Sequence, residues 1–367
     1  MGNLSDLPIK RRDEAILICK KALDEGLIFS KNLPTTLFVY LNTFFDWNTS
    51  SYVQKRNLLD PGSISPDYMA TRQNLIKNHI LPIIQTDLLL SKVTTRILED
   101  LQFSLVKKGA ISHSTINICM QAVSLALQEA KQNGLLDNSI SIHIRPLTCV
   151  HKMRGILGEE ELTHFMKYLK AQGEHRIYLA CLLSLLTGMR SGELRGLQST
   201  SIHDGLITVE YAYANKAGLK IPKGKKTRLV PCPLFLCKEL ISLAKENILV
   251  PTGNLVFWSK KTGVYVSSHY FCQRMQIELE KSKILTKEEI QQRNITFHSL
   301  RHMANTLLRG SVDEHILRMT IGHSSEQLSD LYTHLSQRGL KSVELAQQNN
   351  ILPLIGEISD EASESKE

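Results

Sequence analysis

No run of 18 apolar residues occurs anywhere in this 367-residue chain, so nothing in it reads as a membrane-spanning helix. The opening segment, MGNLSDLPIKRRDEAILICKKAL, lacks the apolar core of a secretory signal. Cysteines are few and scattered: Cys19, Cys119, Cys149, Cys181, Cys232, Cys237 and Cys272 are odd in number and make no C-x-x-C pair. A disulfide framework is therefore not expected, and free thiols in a reducing, cytoplasmic setting are. A zinc helix is missing too: His298 and His302 have the i, i+4 spacing, but Ser299 stands where that motif needs Glu. The glycine- and lysine-rich loop from Gly218 to Gly224 has one residue too many for a nucleotide-cradling P-loop, and Lys226 replaces its Ser or Thr. No metal and no nucleotide or other cofactor is expected.

What remains is an ordinary globular composition, 42% hydrophobic and 22% charged, with length enough for two domains. The net charge is +8, and acids crowd into the last residues, GEISDEASESKE, which leaves the body of the chain more basic still. A basic body suits nucleic acid through phosphate contacts and counterion release. By itself it would fit a ribosome or a membrane surface as well.

Periodicity makes the chain mainly α. Residues 1–30 hold one helix around 12–25. Over 31–136, Leu37, Tyr40, Leu41 and Phe44 form one apolar stripe. A second helix carries Leu75, His79 and Ile80, a third spans 91–108, and a last one starts at Ser112 or Ser114 and stops at Asn133-Gly134. Residues 137–157 lack helical periodicity and read as an extended linker, with Arg145, Lys152 and Arg154 able to touch phosphates. A helix then begins with Glu159, Glu160 and Glu161 in its first turn, where the dipole favours acids. An almost wholly apolar helix over 174–187 ends at Gly188 and sets Arg190 directly after it. Residues 206–213 and 227–230 read as strands joined by a basic connection, and helices follow over 234–247 and 268–283. The fold class is mainly α with a small antiparallel sheet or hairpin, an α+β arrangement.

Residues 295–335 concentrate the chemistry. Leu300, Met303, Ala304, Leu307 and Leu308 give a helix whose one side carries both His298 and Arg301. Ser311 with Glu314, and Ser324 with Gln327, have capping-box spacing and predict two further helices, the first interrupted at Gly322. Tyr332 shares a face with Leu328, Leu331 and Leu335, where a tyrosine is ordinarily core. Taken with His298, Arg301 and His323 it reads differently. A guanidinium fork matches a pair of phosphate oxygens, imidazoles hydrogen-bond a phosphate or relay a proton, and a phenol so helped can attack. The set suits phosphoryl transfer with Tyr332 as the attacking group.

His298-Ser-Leu-Arg301-His302, Ile321-Gly322-His323 with Tyr332 nine residues on, and Thr187-Gly-Met-Arg190-Ser-Gly-Glu193-Leu194 together resemble the three boxes of the tyrosine recombinases, the phage-integrase family, in that family's order. The likeness covers about residues 158–335. Pro222-Lys223-Gly-Lys-Lys-Thr-Arg228-Leu-Val-Pro231 is similar to the family's GKGxKxRxVP hairpin, with Pro222 for its first Gly, and aligns Lys223 with the catalytic lysine; Lys216 and Lys220 are rivals.

The resemblance implies a helical core-binding domain over 31–136 that clamps DNA, a linker over 137–157 and a catalytic domain over 158–340. It further implies a site-specific recombinase that cleaves DNA through a 3′-phosphotyrosyl bond and integrates or excises a mobile element. Tyr332 would be the nucleophile. Arg190 and Arg301 would bind the scissile phosphate with His298 and His323, Lys223 would protonate the leaving oxygen, and Glu193 would orient a basic neighbour or simply serve as a helix acid. Partners would be double-stranded recombination sites and further copies of the chain, a dimer per site and a tetramer on paired sites. An accessory DNA-bending or directionality factor would be a further partner. Family members often place a C-terminal helix, here within 341–367 and followed by a disordered acidic tail, on a neighbouring protomer; packing on its own domain is the alternative. Many also open with a β-rich domain for arm DNA, for which residues 1–30 show no alternating pattern. A type IB topoisomerase shares the chemistry but reseals the same strand, and a DNA-binding protein with a relict site would keep only part of the set.

Overall fold

The computed structural model describes residues 35–137, 139–149, 154–221, 227–322 and 337–356. The chain divides into two compact units, residues 1–149 and 150–367. Among the described residues no helix is long and apolar enough to cross a membrane.

The first unit is helical. Helices α1 (Leu37–Phe44), α2 (Ser51–Leu59), α3 (Pro66–Leu75), α4 (Thr95–Lys108) and α5 (His113–Gln132) each begin at a Ser or Thr whose hydroxyl accepts a first-turn N–H: Thr36, Ser50, Ser65, Thr94 and Ser112. Helix α2 has no counterpart in the periodicity because Val53 is its only buried residue. Helix α3 runs on through a π turn, Ile76–Ile80, that turns Ile76 and Ile80 into the core. Leu41, Met69, Leu98, Val123 and Leu127 form the centre of that core.

The stretch expected to be a linker is mostly not free. Residues 139–149 lie extended along α4 and α5, held by side chains that grip their backbone. Asn117 both donates to the Leu147 carbonyl and accepts from the Leu147 N–H, at 2.8 Å each. Thr95, Gln102 and Ser124 donate to the carbonyls of Ser141, Arg145 and Ile142. Residues 154–157 are fastened to the second unit instead, where the Gly155 N–H donates to the Arg293 carbonyl at 2.7 Å.

The second unit is built on one buried helix. Helix α6 (Glu159–Ala171) covers α7 (His175–Thr187), which is buried from Arg176 to its end, as an all-round apolar helix must be. Gly188 ends α7 at φ +65° and turns the chain into the short helix α8 (Ser191–Arg195). Strands β1 (Ile202–His203) and β2 (Leu206–Val209) begin the sheet. The expected strand 206–213 divides here. Beyond β2, residues Ala212–Ala214 (β3) pair instead with Gly218–Lys220 (β4) in a separate hairpin. Arg195 ties this hairpin to α8: its guanidinium lies over the Tyr213 ring and donates to the Tyr213 carbonyl and to Asn215. Strand β5 (Arg228–Pro231) returns to β2, completing the order β1-β2-β5 with Val209 opposite Arg228.

Helices α9 (Leu234–Lys245), α10 (Tyr270–Lys281) and α11 (Lys287–Gln292) lead to α12 (Phe297–Leu308), which packs along α7. Helix α13 (Glu314–Ile321) is capped by Asp313, not by Ser311, because the Asp313 carboxylate accepts from the N–H groups of His315 and Ile316. The third helix expected after Ser324 and the acidic tail after 356 lie outside the described residues. Helix α14 (Gln337–Asn350) packs on its own domain within this chain. Val343, Ala346, Ile351 and Leu352 join the core, and the Gln347 amide donates to the carbonyls of Leu186 and Pro231 at 3.0 and 3.1 Å.

Candidate active site

The site forms where three chain ends meet: the turn after α7, the start of β5 and the C-terminus of α13. Gly188 and Gly322 make the first and last of these turns possible, at φ +65° and +76°. Arg190 follows the first turn as the residue capping α8. Its backbone N–H donates to Glu193 at 2.9 Å, so Glu193 serves the capping role that a Glu three residues into a helix commonly serves.

Glu193 also pairs with two cations. It is 1% exposed. Arg190 meets its Oε1 at 3.0 Å, and Arg228 grips it with both terminal nitrogens, at 3.0 and 2.7 Å. Burial alone would raise the Glu193 pKa. The hydrogen bonds and charge of Arg228, and then those of Arg190, outweigh burial and hold the carboxyl below its ordinary range.

Arg301 reaches the same place from α12. It is 2% exposed. Its guanidinium donates to the Gly188 carbonyl at 2.6 Å, to the Ile321 carbonyl, and to the Gly322 carbonyl at 3.3 Å. Arg190 donates to that same Gly322 carbonyl, and the Arg228 Nε donates to the Thr320 carbonyl at 2.8 Å. All three arginines therefore hold the end of α13, one residue before His323. Burial first, then the like charges of Arg190 and Arg228, bring the Arg301 pKa down to about 9, so it remains a cation at neutral pH. A Cβ on Gly322 would stand 3.2 Å from the Arg228 guanidinium carbon, a tight approach that would press on that side chain, in addition to the strain of its positive φ.

His298 lies one turn ahead of Arg301, its ring edge-on to His302 at 4.9 Å between centroids. Burial, then the charges of Arg154, His302, Arg301 and Arg190, lower its pKa to about 4, which leaves it neutral near pH 7. Arg154 belongs to this neighbourhood because its position is set by Gly155. A Cβ at Gly155 would meet the Arg293 carbonyl oxygen at 2.3 Å, and Arg293 is itself forked onto Glu161 at 2.7 Å by each arm.

Of the residues expected in the site, the structure brings Arg190, Glu193, His298 and Arg301 together. Lys223, His323 and Tyr332 lie outside the described residues; the rivals Lys216 and Lys220 fall at the turn and second strand of the β3–β4 hairpin. Sequence reasoning missed Arg228 and the approach of Arg154. Arg228 stood inside a matched pattern, but nothing in one dimension showed that it would share Glu193 with Arg190. The assembly carries a surplus of positive charge in a largely buried setting, and its natural complement is an anion with two or more oxygens.

Comparison with known proteins agrees with that chemistry. The model of the Phage integrase family matches residues 156–338. Tyrosine recombinase XerD of Oceanobacillus iheyensis is 24% identical over 245 residues, covering 65% of this chain and 77% of that protein. Tyrosine recombinase XerD of Shewanella oneidensis is 28% identical over 170 residues, covering 45% of this chain and 50% of that protein. The chain thus spans from half to about three quarters of these relatives. Among solved structures, the Tn1549 transposon integrase in complex with transposon right end DNA aligns with a TM-score of 0.60 at 15% identity, over 89% of this chain and 98% of that one. A lambda integrase tetramer bound to a Holliday junction aligns with a TM-score of 0.57 at 20% identity, over 88% and 91%. At these identities the likeness is one of fold.

Proposed function

Residues 156–338 place this chain in the phage integrase family, the tyrosine recombinases, and from that membership we propose that it is a site-specific DNA recombinase that breaks and rejoins strands through a 3′-phosphotyrosyl intermediate. The observation that carries the proposal is the convergence of Arg190, Arg228 and Arg301 on the end of α13, directly before His323 and nine residues further Tyr332.

In this reading the Tyr332 hydroxyl oxygen attacks the scissile phosphorus. The bond to phosphorus forms as the bond to the 5′ oxygen breaks, and Lys223 gives that oxygen its proton. Arg190 and Arg301 neutralise the charge that builds on the non-bridging oxygens, and His298 and His323 hydrogen-bond the same phosphate. His298 is the acceptor for the tyrosine proton. Burial first, and then the neighbouring cations, hold it neutral in the free protein and weaken it as a base, and a bound phosphodiester would offset the cations' share and raise its basicity. The phosphate bond energy stays in the covalent link, so a 5′ hydroxyl of another strand can reverse the step. The first unit, with five α-helices among its described residues, is the proposed core-binding domain. The proposed substrates are the ends and target of a mobile element, bound as a dimer per site and a tetramer on paired sites.

The test is a nicked suicide substrate read on a denaturing gel. The wild-type chain should form a covalent adduct, and Tyr332→Phe should bind the same DNA without forming one. An adduct with the Phe variant would remove Tyr332 from the role. A two-site plasmid, scored for joining of different duplexes, separates recombination from simple relaxation.

A further inference from the structure

Glu193 is a contradiction in an anion site. It caps α8 by accepting the Arg190 N–H, and in doing so it puts a buried carboxylate against the arginine meant for a phosphate. An unanswered carboxylate there would pair with Arg190 and repel the substrate.

We propose that Arg228 is a positioning residue that occupies Glu193 so that Arg190 keeps its charge available for the substrate phosphate. The geometry supports this division of labour. Arg228 takes both carboxylate oxygens in a fork, whereas the Arg190 guanidinium meets only one. The Arg228 side chain is 9% exposed and that of Arg190 27%, so the inner cation serves the carboxylate and the outer one faces solvent. With Arg228 present, the four groups Arg190, Glu193, Arg228 and Arg301 carry a surplus of two positive charges; without it the surplus is one, and Glu193 is free to take both arms of Arg190. The Arg228 Nε also holds the Thr320 carbonyl, and the guanidinium lies under Gly322, so the same side chain fixes the end of α13.

The inference rests on the phosphoryl-transfer reading of the site, and its test separates the two. Arg228→Ala, Arg228→Lys and the double variant Arg228→Ala with Glu193→Gln are compared with wild type. Gln keeps the capping bond to the Arg190 N–H but not the charge. On the nicked substrate Arg228→Ala should lose about 10²-fold in adduct formation, on the scale of removing one charge-stabilising donor. Arg228→Lys, which keeps the charge and loses the fork, should retain most activity. The double variant should recover at least about tenfold over Arg228→Ala. A purely structural role predicts the opposite, since the double variant removes one more native contact.

The second readout needs no cleavage: thermal unfolding in inorganic phosphate against chloride at matched ionic strength, with Arg190→Ala marking protection from elsewhere on the surface. Wild type, Arg228→Lys and the double variant should gain phosphate protection and Arg228→Ala should not. Should Arg228→Ala fail to fold, the Lys variant carries the test, and a loss there as complete as that of Arg190→Ala overturns the proposal. So does a double variant no better than Arg228→Ala, or a wild type that phosphate does not protect. If the phosphate pattern holds while no wild-type adduct forms on DNA, the recombinase reading falls and the role of Arg228 stands.

Discussion

Replacing His298 by Gln should flatten the acid limb of this protein's stability. In the folded chain the His298 pKa is down at about 4 against an ordinary 6.5, because the ring is partly buried among Arg154, His302, Arg301 and Arg190. The unfolded chain therefore takes up that proton first. Stability is fully present above about pH 6.5, falls as the pH drops from there toward about 4, and levels off below. At about 1.4 kcal/mol per tenfold change in binding, the limiting loss is roughly 3 kcal/mol. The ring is still reached by solvent, which screens the neighbouring charges, so roughly 1–2 kcal/mol is the expected size.

Urea unfolding of wild type and His298→Gln, at several values from about pH 7.5 to about pH 4, measures it. Glu193 and Glu161, whose carboxyls are held below their ordinary range, begin to lose their contribution only at the acid end of that series, and being common to both proteins they cancel in the difference. The wild type should lose more stability than the variant by that roughly 1–2 kcal/mol. An imidazole C–H resonance should place the His298 midpoint well below 6.5 and move it upward in Arg154→Ala, whose charge is the second cause of the shift after burial. Equal losses in both proteins, or a midpoint near 6.5 in wild type, would refute the reasoning.

Gly322→Ala adds a side chain at φ +76° and 3.2 Å from Arg228, so about 1–2 kcal/mol of strain plus a displaced guanidinium should lower the unfolding temperature by about 2–8 °C and cut adduct formation. Gly310→Ala, at φ +90° but in open space, should carry the strain alone and keep adduct formation; equal behaviour of the two would show that the Arg228 contact is irrelevant. Gln347→Leu leaves the buried carbonyls of Leu186 and Pro231 without their donor and should cost about 1–3 kcal/mol in chemical unfolding, a loss that fails to appear if α14 is not seated on its own domain. Lys223→Ala should cleave ordinary DNA slowly and a 5′-bridging sulfur substrate at close to the wild-type rate, since a thiolate leaves without a proton. Rescue of Lys216→Ala or Lys220→Ala in its place would move the general acid to another lysine of the hairpin.

Local chemistry was legible wherever it depends on residues near in sequence. Gly188 ends α7, Ser112 starts α5 and the three glutamates open α6 because caps, left-handed glycines and dipoles act within a turn. Helix α2 was not legible, since a helix that buries only Val53 carries no apolar stripe. The run 206–213 read as one strand because strand propensity is local, while the break after Val209 shows only in the pairing partners, β5 for β2 and β4 for β3. The extended course of the linker was legible from its lack of periodicity, but its fasteners were not, since these, Asn117 and Thr95 among them, are donors on helices far back in the chain.

Spacing and residue type by themselves determined the helical class and marked His298 and Arg301 as candidates, because each is written as a short pattern with its own periodicity; the order of the boxes and Arg190 came from the resemblance to the tyrosine recombinases. Only the tertiary structure decided how those candidates are charged and held. It joined Arg228 to Glu193 across 35 residues, beside Arg190, and tied Arg228 and Arg301 to the end of α13. It also put α14 on its own domain. Electrostatics and burial depend on distance through space, and no residue's neighbours in the chain reveal which charges will stand beside it once the core has closed.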